Sequence, residues 1–272
     1  MGNVLEVKGL RKTYRMAGST ERLVAVKDTT LSLAPGGSVA LVGESGSGKS
    51  TNVRVLMGLE RGDAGTMTLD GRDYDLTVTP KRPERRVRSK VMQMVFQDPY
   101  VSLDPRQTIG AGLDEVLKLH TSLSAESRQQ RIIELLESVR LPHAVAEEGP
   151  GPLSGGQRQR VAIARALAAE PKVLVLDEAL SALDVATQNV MVALLRQIQE
   201  ETGVALLFIS HDLPMVAHLC DEVLVLHRGT VVEAGPTSTV LSDPQEDYTK
   251  RLLDAVPRRG WTPRRRTVET QR

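Results

Sequence analysis

Val39-Ala40-Leu41-Val42-Gly43-Glu44-Ser45-Gly46-Ser47-Gly48-Lys49-Ser50-Thr51 runs from an unbroken apolar segment, through three spaced glycines, to a lysine and two hydroxyls. Continuous apolar residues without alternation mark a strand buried on both faces. After the loop, Val53, Leu56 and Met57 recur at helical spacing, so the order is strand, glycine loop, helix. Glycines let backbone N–H groups turn inward around phosphate oxygens, and the dipole at the helix N-terminus favours the same anion. Lys49 is then in reach of the β- and γ-phosphates of a nucleotide, and the Ser50 hydroxyl can ligate Mg²⁺. A plain flexible turn is the alternative. The bare pattern arises by chance in about one chain in a hundred of this length, and the flanking strand and helix favour the phosphate loop further.

Three further apolar runs, Val173 to Leu176, Val204 to Ile209 and Val223 to Leu226, have the same two-faced character and predict a central, largely parallel sheet. The first seventy or so residues differ: Val4-Leu5-Glu6-Val7 and Thr66-Met67-Thr68-Leu69 alternate, with turns at Pro35-Gly36-Gly37 and Asp70-Gly71. They predict antiparallel strands. Ile132, Leu135, Leu136 and Val139 predict a helix within Leu123 to Val139, with Ser124 as N-cap. A second helix is expected from about Asp184 to Glu200, with Val190, Leu194 and Ile198 on one stripe and Gly203 as its stop. It joins two buried strands into a βαβ unit.

Val173-Leu174-Val175-Leu176-Asp177-Glu178 ends a buried strand in two carboxylates at the sheet edge where ligands bind in open α/β folds. Asp177 suits Mg²⁺, directly or through water. Glu178 suits the orientation or deprotonation of a water that attacks the γ-phosphate. Taken alone, such a pair is more often a helix N-terminal cap; downstream of a phosphate loop the catalytic reading is preferred. Leu153-Ser154-Gly155-Gly156-Gln157 opens another helix, through Val161, Ile163 and Ala164. A second phosphate site and a simple capping turn are equally good readings of that segment on chemistry alone.

The 272 residues, 40% apolar and 25% charged, suit a globular protein with a sizeable core, read as one continuous unit with an inserted lobe. A net charge of +1 gives no reason to expect nucleic acid as a partner. Cys220 is the only cysteine, which excludes an internal disulfide or a multi-cysteine cluster and fits a reducing cytosol. The apolar runs fall well short of the ~20 residues that cross a bilayer, and no secretory apolar region opens the chain. Glu6 stands where a myristoylation motif needs Ser or Thr. Arg258-Arg259-Gly260-Trp261-Thr262-Pro263-Arg264-Arg265-Arg266 reads as a solvated basic tail, with lipid headgroup contact as the alternative.

From about Leu5 to Val256 the chain resembles the nucleotide-binding subunits of ATP-binding cassette transporters. The resemblance implies an α/β fold with a RecA-like P-loop NTPase core, N-terminal antiparallel strands and an inserted α-helical subdomain. Residues 1–257 form the nucleotide-binding domain in this reading, with the core at 1–97 and 166–257, the helical subdomain at 98–165 and the tail at 258–272. ATP and Mg²⁺ are the implied cofactors. Gly43, Glu44, Ser45, Gly46, Ser47, Gly48, Lys49, Ser50 and Thr51 match the ATP-binding loop, and Tyr14 matches the aromatic that stacks on adenine. Gln97 matches the glutamine that meets Mg²⁺ and the attacking water, His211 the switch histidine at the γ-phosphate. Ser50, Gln97 and Asp177 are the implied metal ligands, and Glu178, His211, Gln97 and Lys49 the catalytic set. Ser154, Gly155, Gly156 and Gln157 match the signature motif, which binds ATP held by a second subunit, and Ser181-Ala182-Leu183-Asp184 the loop that crosses that interface.

Phe96-Gln97-Asp98-Pro99-Tyr100-Val101-Ser102-Leu103-Asp104-Pro105-Arg106, Gly155 to Arg160 and Asp243 to Leu253 resemble the ATPases of oligopeptide, dipeptide and nickel importers. Gly151-Pro152 replaces the subgroup's common Tyr-Pro-His, and Ala179-Leu180 its commoner Pro-Thr; neither change removes a catalytic group. Cys220 alone cannot build the iron–sulfur cluster that some relatives carry. The implied partners are a second cassette subunit, identical or related, two membrane permease subunits and, indirectly, an extracytoplasmic substrate-binding protein, at the cytoplasmic face of the membrane. Export is the main alternative. A soluble switch on ribosomes or DNA fits less well: such relatives tend to carry two cassettes in one chain or a long coiled-coil insertion, whereas only about a hundred residues separate Lys49 from Ser154. An inactive scaffold would lack Lys49, Glu178 or His211, and all three are present.

Overall fold

A computed structural model describes residues 2–16, 18 and 21–255; the basic stretch at 258–272 lies outside the described residues. Two long strands, β1 (Leu5–Arg15) and β2 (Arg22–Leu33), come first, then β3 (Ser38–Val42), α1 (Lys49–Leu56) and a hairpin of β4 (Ala64–Leu69) and β5 (Arg72–Asp75). α2 (Arg82–Val91) leads into β6 (Met92–Val95), followed by α3 (Ile109–His120), α4 (Ala125–Ser138) and α5 (Gly155–Leu167). Strand and helix then alternate through β7 (Val173–Asp177), α6 (Val185–Thr202), β8 (Ala205–Ser210) and α7 (Leu213–Leu219). The last elements are β9 (Glu222–His227), β10 (Thr230–Pro236), α8 (Thr237–Ser242) and α9 (Asp247–Asp254).

All these strands join one ten-stranded sheet in the order β5-β4-β1-β2-β10-β9-β3-β8-β7-β6. The pairs β6/β7, β7/β8, β8/β3 and β3/β9 are parallel, whereas β9/β10 and the pairs among β1, β2, β4 and β5 are antiparallel. The inner parallel strands β3, β7, β8 and β9 are those with unbroken apolar runs, as expected for strands covered on both faces, whereas β6 at the sheet edge carries Gln93. Val39, Leu41, Val173, Val175, Leu207 and Ile209 face one core with Leu5, Val7, Leu10 and Leu56. Their neighbours Ala40, Val42, Leu174, Leu176, Leu206 and Phe208 face the other, with Leu113, Leu117, Leu135, Leu136 and Ile163 of α3, α4 and α5. The helical insertion therefore has no separate core, and shares one with the far face of the sheet.

Helix starts follow the chemistry of their first residues. The side chains of Thr108, Ser124, Ser154, Asp184 and Asp212 each accept an N–H from the first turn of the helix they cap, and α6 stops at Gly203 with φ of 68°. Two details differ from expectation. Val190 is 42% exposed, and the buried stripe of α6 is Met191, Leu194, Leu195 and Ile198, the i, i+3, i+4, i+7 pattern one residue later. The charged α2 gives almost no apolar signal; it is held by Arg88, which is buried over the Tyr74 ring at 4.5 Å and donates to the Leu56 carbonyl at 3.2 Å.

Because Leu136 lies in the core common to α4 and the sheet, Leu136→Ala should destabilise the protein by about 2–5 kcal/mol. Urea unfolding followed by far-UV circular dichroism should remain one transition with a lower midpoint. A separate early transition for the helices would show that the lobe has its own core.

Candidate functional site

Parallel pairing aligns Val42 of β3 with Ser210 of β8, and Asp177 of β7 with Ile209. The chain that follows each strand therefore emerges at one sheet edge: the glycine loop after β3, Glu178 after β7 and His211 after β8. The loop is pressed close to its neighbours. A Cβ on Gly43 would lie 2.2 Å from the Leu226 carbonyl oxygen, and one on Gly48 2.3 Å from that of Ala25, at φ of 150° and 105°. Only glycine tolerates both the contacts and the angles. The Ser47 carbonyl accepts from the Gly229 amide at 2.9 Å in the β9–β10 turn, and no side chain caps the start of α1. Its first amides are left for an anion.

Lys49 is 4% exposed and donates to the carbonyls of Gly43 at 2.7 Å and Glu44 at 3.0 Å. Burial lowers its pKa, against the pull of Glu178 and Asp177. Burial and then the adjacent Glu178 raise the pKa of Asp177, whose Oδ1 lies 3.5 Å from the Ser50 hydroxyl. Glu178 occupies left-handed backbone space at φ of 48°, with its N–H donating to the Ile209 carbonyl at 3.0 Å. Such a conformation in a non-glycine residue is a local cost borne by the surrounding structure. The His211 Nδ1 is 3.7 Å from Glu178 Oε1. Gln97 Nε2 donates to Ser181 Oγ at 3.3 Å, and that hydroxyl donates to the Glu178 carbonyl at 2.8 Å. Gln97 thus reaches the main chain of Glu178 through one serine.

A cavity of about 460 Å³ opens over the loop, with Tyr14, Ser45, Gly48, Lys49, Thr51 and Glu178 in its walls. The Tyr14 hydroxyl donates to Glu60 at 2.6 Å, and the Lys12 ammonium sits 5.0 Å from the ring centroid, which fixes the ring at the cavity wall. Arg228 and the exposed Leu23 and Val24 also line it. Sequence reasoning missed these three. Leu23 and Val24 read as ordinary strand residues, and Arg228 owes its place to the turn beside Gly229.

Ser154, Gly155, Gly156 and Gln157 begin α5 elsewhere. Ser154 Oγ accepts from the Gln157 amide at 3.2 Å, while Gln157 Oε1 accepts from the Ser154 amide at 2.9 Å, a reciprocal capping box. Asp184 likewise caps α6, accepting from the Thr187 amide at 3.0 Å and hydroxyl at 2.7 Å. The two helix starts adjoin, since a Cβ on Gly156 would lie 3.0 Å from Thr187 Cγ2. None of Ser154 to Gln157, nor Asp184, is among the described residues that line the cavity. The site residues fall into two groups: Tyr14, the loop, Gln97, the two acids and His211 in one, the α5 start and Asp184 in the other.

Residues 26–181 match the family model described as ABC transporter. The oligopeptide transport ATP-binding protein OppF of Lactococcus lactis is 40% identical over 263 residues, 94% of this chain and 81% of that protein. The glutathione import ATP-binding protein GsiA of Salmonella typhimurium is 42% identical over 260 residues, but the chain spans only 41% of that protein. Among solved structures, the dimeric cassette MJ0796 in a post-hydrolysis state with ADP and Pi superposes with a TM-score of 0.75 at 30% identity, covering 86% of this chain and 98% of that one. The cbiO1 protein of Clostridium perfringens, part of the transporter complex cbiONQ, gives 0.78 at 27% identity over 89% and 92%. With relatives matched over nearly the whole chain and a solved cassette superposing on its fold, this ATPase belongs to the ABC transporter family.

Proposed function

We propose that this ATPase works as one half of a closing pair that drives import across a membrane, with each ATP held between the phosphate loop of one subunit and the signature helix of the other. The observation that carries this reading is the separation of the two groups. Ser154 to Gln157 form a glycine-rich, capped helix start, exposed at Ser154 and Gly155 and half-buried at Gly156 and Gln157, yet outside the cavity that holds Lys49 and Glu178. A second, facing subunit gives that helix start a phosphate to bind, and two such contacts make a two-fold symmetric interface. OppF and GsiA carry oligopeptide transport and glutathione import in their names, which supports peptides and similar small solutes as cargo. Two membrane permeases and an extracytoplasmic binding protein complete the assembly, with this subunit peripheral at the cytoplasmic face. The nucleotide-binding unit is read as residues 1–257, with a core at 1–97 and 166–257 and the helical subdomain at 98–165.

Within one half-site, Tyr14 offers its ring to the adenine, and residues 43–51 wrap the phosphates with backbone N–H groups. The Lys49 ammonium leaves the Gly43 and Glu44 carbonyls for the β- and γ-phosphate oxygens, where charge builds as the bond to the leaving oxygen breaks. Asp177 and Ser50 fit Mg²⁺. A carboxyl raised in pKa by burial beside a second carboxylate calls for a cation, and among the described residues no three His, Cys, Asp or Glu side chains converge to cage one. Nucleotide oxygens would complete such a site, with Gln97 near it. Held by these residues, Mg²⁺ would supply neutralisation of the phosphate charge. Glu178 orients the attacking water and accepts its proton, His211 contacts the γ-phosphate, and the Gln97–Ser181–Glu178 chain links that chemistry to the segment at 98–106. Asp184 sits on the surface that crosses to the partner.

Two outcomes follow from these roles. Lys49→Ala should weaken Mg²⁺ATP binding and lower hydrolysis by about 10²-fold or more, measured by calorimetry and phosphate release; near-normal turnover would remove the phosphate-loop assignment. Glu178→Gln keeps size and hydrogen-bonding reach but loses the proton acceptor, so hydrolysis should fall by about 10²–10⁴-fold. Sedimentation should then show a long-lived dimer with Mg²⁺ATP and a monomer with Mg²⁺ADP. Wild-type turnover in that variant would refute the role given to Glu178, and an inactive chain that stays monomeric with ATP would point to a different partner subunit.

A further inference from the structure

The resemblance at Asp243 to Leu253 has no part in the chemistry described above, yet the segment reaches the phosphate loop. The Glu44 amide donates to the Tyr248 hydroxyl at 3.1 Å, a contact across 204 residues of sequence. Tyr248 is 7% exposed on α9, and its ring stacks on His227 with centroids 4.0 Å apart and planes 17° from parallel. His227 ends β9 directly after Leu226, whose carbonyl presses on Gly43, and two residues before Gly229, whose amide holds the Ser47 carbonyl. The same β9–β10 turn that braces the loop from outside is thus the platform on which Tyr248 rests.

The helix that carries Tyr248 is itself well seated. The Gln245 and Glu246 amides donate to the Glu233 carboxylate of β10 at 2.8 and 3.3 Å, fixing the approach to α9. Leu252 and Leu253 pack on the main core. A cavity of about 360 Å³ lies between α9, the start of the loop and the chain after β8, with Glu44, His211, Leu213, Arg251 and Leu252 in its walls. Tyr248 is therefore attached to a fixed element, and its one polar atom is spent on the loop.

We propose that Tyr248 is a positioning residue for nucleotide binding, which pins the Glu44 amide and so holds the entrance of the phosphate loop in its binding shape before nucleotide arrives. Preorganisation of this kind raises affinity by removing an ordering cost, without a contact to the ligand. The effect falls equally on ATP and ADP, because the loop wraps phosphates that both carry. It spares the chemical step, which belongs to Glu178. This inference rests on the phosphate-loop reading.

Tyr248→Phe is the test, since it keeps the ring and its stack on His227 and removes only the hydroxyl. Calorimetry with Mg²⁺ADP should show Kd raised by about three- to tenfold, the worth of one intramolecular hydrogen bond. KM for Mg²⁺ATP should rise by the same factor while kcat and the melting temperature stay at wild-type values. An unchanged Kd overturns the proposal, and so does an affinity loss that comes with a matching loss of thermal stability, which marks a structural role. Lys49→Ala is the reference: if it too binds Mg²⁺ADP like wild type, the phosphate-loop reading fails, whereas normal binding by Tyr248→Phe alone removes only the positioning role.

Discussion

The parallel register of β3 between β8 and β9 is the constraint on which the site depends. It brings Val42 level with Ser210 and Val225, so that the glycine loop and His211 leave the sheet side by side and Leu226 continues against Gly43. One further strand, β7, adds the two acids at the same edge. Parallel strands need crossovers, and α6 and the helical insertion supply them while covering the faces that their apolar sequences expose. A slip of one residue in β3 would turn Ala40 and Val42 away from one core and Val39 and Leu41 away from the other. Packing in two cores therefore fixes the position of the phosphate loop.

The electrostatics of the edge follow from that packing. Lys49 and Asp177 are drawn into a partly dry region where the ammonium loses proton affinity and the Asp177 carboxyl gains it. Lys49 donates to two carbonyls of its own loop. The start of α5 is different: Ser154 and Gln157 satisfy each other's amides, so the cap is complete as it stands. A capping turn does not exclude an anion site at the same helix start, since the cap occupies only part of the first-turn amides.

Much of this was legible in the sequence because the decisive residues are consecutive or periodic. Lys49 and the glycines around it need only a strand and a helix on either side, and Asp177-Glu178 needs only the apolar run before it. Caps at Ser124, Ser154 and Asp184 and the stop at Gly203 could be read from residue type. What escaped is what the tertiary fold creates. Val190 left the stripe by a single step in helical phase. α2 hides one arginine among several exposed charges, and only the Tyr74 ring and the Leu56 carbonyl reveal which one is buried. Arg228 reaches the cavity through a turn, and Tyr248 reaches Glu44 from the far end of the chain. Neither pairing has a signature in local spacing.

If one chain holds two half-sites that meet only across a pair of subunits, mixing Ser154→Arg with Lys49→Ala chains brings an intact half from each into one composite site. Ser154→Arg alone should bind Mg²⁺ATP nearly as wild type but hydrolyse it poorly, because the added cation and bulk occupy the partner's γ-phosphate seat. Lys49→Ala alone should do neither. In an equal mixture, each mixed pair joins one intact loop to one intact signature helix, and phosphate release should recover to about a quarter of the wild-type rate if subunits pair at random across a two-fold interface. Wild-type hydrolysis by the Ser154→Arg chain on its own would contradict the account, because it would mean that each subunit completes its site without a partner.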